Sequence, residues 1–81
     1  MNRLNEEIRA IQSTIDNIDL DIQYYQELYA QIDDEDRLSE LVDIIQKKKT
    51  QKTILQQELK ERLDEAFYII YLFFYIFFFN F

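Results

Sequence analysis

The chain has 81 residues, enough for one small domain, and its nine Lys and Arg stand against sixteen Asp and Glu for a net charge of −7. It contains no Gly, Pro, Cys, His or Trp. Those zeros remove disulfides, thiolate and imidazole metal sites, imidazole acid–base catalysis, and the glycine loops that let a backbone approach phosphate. The acidic balance opposes nucleic-acid binding, which needs clustered cations.

Every charged residue lies between Arg3 and Glu65. The remainder, AFYIIYLFFYIFFFNF from Ala66 onward, holds all seven Phe and three of the six Tyr. The sequence therefore divides into a charged segment, residues 1–65, and an aromatic hydrophobic tail, residues 67–81. No apolar run near Leu4 resembles a signal peptide.

From the start of the chain, Leu4, Ile8, Ile11, Ile15, Ile18, Ile22, Tyr25, Tyr29 and Ile32 follow one another at alternating spacings of four and three. That is an unbroken heptad stripe, with Ile8, Ile15, Ile22 and Tyr29 at one seam position and Ile11, Ile18, Tyr25 and Ile32 at the other. It predicts a helix over about 3–32 whose narrow apolar seam needs a partner helix. So short a chain offers little other core to pack on.

DDEDR, residues 33–37, interrupts the stripe, and the old register would place Asp36, Ser39 and Asp43 on the seam. The apolar pattern restarts in a new register at Leu38, Leu41 and Ile45. A turn over 33–36 is favoured, because Asp33, Asp34 and Asp36 all suit the cap of a following helix and the positive end of its dipole. One uninterrupted helix is the alternative, since no Gly or Pro forbids it. A calcium loop is not implied, because its 12-residue ligand spacing and Gly are missing.

The second helix is predicted over about 37–66, with Leu55 and Leu59 continuing the seam beyond a polar stretch, QKKKTQKT. Folding the chain at residues 34–36 accounts for that stretch. In an antiparallel hairpin residue i faces roughly 70 minus i, so Lys47, Lys48, Lys49 and Lys52 come opposite Asp16, Asp19 and Asp21. Lys48 is expected opposite Ile22, Lys49 opposite Asp21 and Lys52 opposite Ile18, the long Lys stems crossing the Ile seam while their heads reach carboxylates. Exposed pairs of this kind contribute only ~0.2–1 kcal/mol each, so they select register and orientation more than they stabilise. Reading KKKTQK as a nuclear import signal or a lipid-headgroup contact is less economical. The fold expected is all-α: an antiparallel, coiled-coil-like helical hairpin whose second helix continues into the tail.

The same arithmetic puts Ala66 opposite Leu4 and leaves the tail facing nothing in the chain. Its apolar residues Phe67, Ile69, Ile70, Leu72, Phe73, Phe74, Ile76, Phe77, Phe78 and Phe79 are the candidate contacts for a membrane or a partner. As a helix, residues 67–81 reach about 22 Å, short of a hydrocarbon core of ~30 Å. Embedding in one leaflet is thus as tenable as spanning. The same residues also suit burial against a partner protein. A compositionally biased gene end under little selection would produce a run of this kind as well.

The functional expectation is a non-enzymatic, membrane-attached adaptor or structural protein, with the hairpin in the cytosol and free for protein–protein contact. The alternative is a cytoplasmic, soluble coiled-coil subunit of a helical complex, its hairpin open to homo-oligomerisation and its tail packed into a partner. Carboxylate pairs such as Glu6 and Glu7 lie on a solvated face with no cleft to shift their pKa, which argues against an enzyme. No catalytic residue, cofactor, metal, nucleic acid or small-molecule substrate is expected.

Overall fold

A computed structural model describes residues 2–79. It consists of two helices, α1 (Asn2–Tyr29) and α2 (Glu35–Phe79), with no strand among the described residues. The helices pack against each other as an antiparallel hairpin, and the rod measures 70 × 16 × 16 Å. Asn80 and Phe81, the last two residues of the expected tail, lie outside the described residues.

Alternating spacings of three and four bring one stripe of each helix to the contact. On α1 and the link after it, Leu4, Ile8, Ile11, Tyr25 and Ile32 are half-buried while Ile15, Ile18 and Ile22 are buried. On α2, Leu38, Leu55 and Leu59 are half-buried while Leu41 and Ile45 are buried. One buried cluster joins Ile18, Ile22 and Ile45, with Tyr25 and Leu55 against them. Among the described residues burial stops at five, because each seam has only one neighbouring helix to cover it. A single pair of helices removes much less apolar surface from water than a bundle does.

The turn differs from expectation at both ends. Helix α1 stops at Tyr29 rather than near residue 32. The Ala30 N–H still donates to Gln26 O, but Gln31 N–H donates to Leu28 O (3.0 Å) and Ile32 N–H to Tyr29 O (3.4 Å), so the chain tightens into three-residue spacing. The four–three rule ends with the α-helix, and it ends before it can bury Tyr29. That ring stays 43% exposed, and Leu28 is half-buried instead. Helix α2 starts at Glu35, ahead of the expected 37. Asp34 sets this start: its carboxylate accepts the Asp36 N–H at 3.0 Å and its carbonyl accepts the Leu38 N–H at 2.9 Å. It is therefore the N-cap, and Glu35 and Asp36 place negative charge in the first turn, where the helix dipole favours it.

Candidate docking surface

Three seam positions of α2 carry cations, and each reaches a carboxylate of α1. Lys48 Nζ lies 3.3 Å from Asp21 Oδ2, Lys52 Nζ contacts Asp19 Oδ1, and Arg62 Nε donates to Glu7 Oε2 at 3.1 Å. The residue numbers of these pairs add to 69, 71 and 69, which fixes the antiparallel register over most of α1. Lys48 and Lys52 are half-buried, as long stems lying along the helix contact are while their ammonium groups reach Asp21 and Asp19.

The other residues of the expected charge register act locally or not at all. Asp16 accepts a hydrogen bond from Gln12 Nε2 at 3.0 Å, and Lys47 pairs with Asp43 at 3.0 Å, both within their own helices. Each has a partner four residues away on the same face, which costs less side-chain ordering than reaching across. Lys49 is exposed and makes no ion pair among the described residues; it flanks a shallow groove with Tyr29 and Val42. The expected pairing of Lys49 with Asp21 is replaced by Lys48, because only the seam residue points at α1. The Arg62–Glu7 pair lies outside the expected charge register, although the same arithmetic contains it.

Beyond Ala66, α2 continues alone. Every described tail residue is exposed, from Leu72 at 38% to Phe79 at 74%. No charge interrupts Ala66–Phe79, 14 described residues and about 21 Å of helix. With no Gly or Pro before it, α2 crosses from hairpin to tail without a break. The rings shield one another in part. Phe74 and Phe78 stack at 6.2 Å and Tyr75 and Phe79 at 4.6 Å, one turn apart, with edge contacts between Phe73 and Phe74 and between Phe77 and Phe78.

At about 100° per residue, the seam runs on through Ile69, Phe73 and Ile76, while Tyr68, Tyr71 and Tyr75 share a second face. Phe67, Phe74 and Phe78 form a third, and Ile70 and Phe77 fill the gap between it and the seam. The three phenol hydroxyls are the only side-chain polar groups between Ala66 and Phe79. The tail is therefore apolar nearly all round, as a lipid-facing or deeply buried helix is. No described helix is long and apolar enough to cross a membrane. Among the described residues no group of carboxylates is arranged to hold a metal ion. Comparison with protein-family models, curated proteins and solved structures finds no match.

Proposed function

We propose that this protein is a non-enzymatic, membrane-attached helical adaptor. The apolar end of α2 embeds in one face of a bilayer, and the hairpin stands in the cytosol where it engages other proteins. One observation carries the reading: α2 outruns α1, and the residues beyond the hairpin are exposed, charge-free and aromatic around the whole helix. Burying a large apolar side chain contributes ~1.5–3 kcal/mol, so even partial insertion of this run gives strong attachment. Its length favours embedding over crossing.

A second reading, a soluble subunit whose tail packs into a partner protein, has its own support. The seam register continues without a break through Ile69, Phe73 and Ile76, as a helix from a partner stacked beyond the first turn of α1 would require. The all-round distribution of Phe favours lipid, because one partner helix covers only the seam side.

Membrane fractionation separates the two. The full chain is expected to pellet with membranes and to resist alkaline carbonate. Phe73→Asp combined with Phe74→Asp places two carboxylates mid-run, each costing ~2.5–3.5 kcal/mol on insertion scales, and is expected to release the protein with its hairpin intact. A wild-type chain that is extracted by carbonate as a discrete complex supports the partner reading instead.

A further inference from the structure

We infer that the tail is built for electrically neutral lipid, and that anionic lipid weakens its attachment. This rests on the membrane reading above and names the surface that it selects. Where α2 leaves the hairpin, the last turns before Ala66 lie beside the first turns of α1. Together, residues 2–9 and 58–65 carry six carboxylates and four cations.

Two of those cations are already committed. Glu7 pairs with Arg62 at 3.1 Å and more loosely with the exposed Arg3 at 3.9 Å, and Arg9 and Lys60 form no ion pair among the described residues, so the collar's negative sign rests on its excess of two carboxylates. Asp64 and Glu65 are exposed, form no ion pair among those residues, and are closest to the tail.

Attachment to anionic membranes ordinarily uses the reverse arrangement, a cluster of Lys and Arg at the surface. This chain has such a cluster, Lys47 to Lys52, but it sits 14–19 residues before Ala66. That is about 21–28 Å along the helix, roughly three Debye lengths at physiological salt; at low salt the field reaches the cluster too, but it then acts on the whole chain, whose net charge is −7. Three of its four lysines are also paired, with Asp43, Asp21 and Asp19. A negative surface therefore meets a net negative collar and no free basic patch. A zwitterionic surface offers the same hydrocarbon without the repulsion.

The test is flotation of the full chain, diluted from detergent, with vesicles of phosphatidylcholine alone or of an equal mixture with phosphatidylserine, at low and at physiological salt. Binding to phosphatidylcholine is expected, reduced by roughly fivefold or more on the mixed vesicles at low salt and partly restored by added salt. Asp64→Lys with Glu65→Lys should invert the preference. Equal or tighter binding of the wild-type chain to the mixed vesicles overturns the inference and leaves the membrane reading standing. An unchanged preference in the double variant shows that the collar does not set it, which also overturns the inference. Absence of flotation with either lipid, with the protein recovered as a large self-associated or partner-bound species, overturns the membrane reading and this inference with it.

Discussion

Ile22→Asp tests whether the hairpin is held by its seam. Ile22 is 8% exposed and packed with Ile18 and Ile45, in a contact that buries only five side chains among the described residues. Removing a buried Ile side chain costs ~2–5 kcal/mol, and the half-open two-helix interface points to the lower part of that range. The new carboxylate adds a desolvation cost, offset in part because Lys48 faces position 22 and its side chain is 31% exposed. About 3 kcal/mol is the expected total. Leu20→Asp is the control: the same charge enters two residues away, at a position 63% exposed, where surface substitutions change stability by about 0.5 kcal/mol or less. Thermal melting of residues 1–66, followed by circular dichroism, reads both. At ~4–8 °C per kcal/mol for a domain this small, Ile22→Asp should lose well over 10 °C or its whole transition, while Leu20→Asp moves by a few degrees. Coincident melting of the two variants would refute the assignment of this face as the contact.

Cysteines at positions 18 and 52 should crosslink within one chain, because Lys52 contacts Asp19, the neighbour of Ile18, across the hairpin; links only between chains, 18 to 18, would mean a continuous helix paired in parallel. Lys48→Glu with Lys52→Glu should destabilise the hairpin by about 1–2 kcal/mol at low salt, less at high salt. Adding Asp19→Lys and Asp21→Lys should recover most of that loss in the melting midpoint, and failure to recover it would mean that the pairs do not set register.

The parts legible in the sequence share a property: each depends on a period repeated over many residues. The four–three stripe from Leu4 to Ile32 and the restart at Leu38 contain the antiparallel register, because only a sum near 70 sets apolar residues against apolar residues and lysines against aspartates. The cap, which rests on no period, is legible only as a choice among Asp33, Asp34 and Asp36, of which Asp34 meets the open N–H of Asp36. The end of α1 is less legible. No Gly or Pro marks it, and tightening at Gln31 and Ile32 is decided by the need to cross to α2, a tertiary demand. That early end is what leaves Tyr29 exposed. Register arithmetic sends Asp16 and Lys47 across the hairpin, yet Gln12 and Asp43, four residues away, take them at lower entropic cost. Both competitors are visible in the sequence, as is Glu7 for Arg62.

The unbroken α2 has a mechanical consequence. A helix that passes from hairpin to tail with no hinge transmits rotation as well as position, so the tail and α1 are locked in azimuth about a common axis. Whatever grips the ring faces of Tyr71, Tyr75 and Phe79 also dictates the compass direction in which α1, and the acidic tip at Asp34, are presented. A flexible joint would hold the hairpin nearby in any orientation. Here the phase of a single continuous helix fixes which side of the hairpin lies in line with each face of the tail.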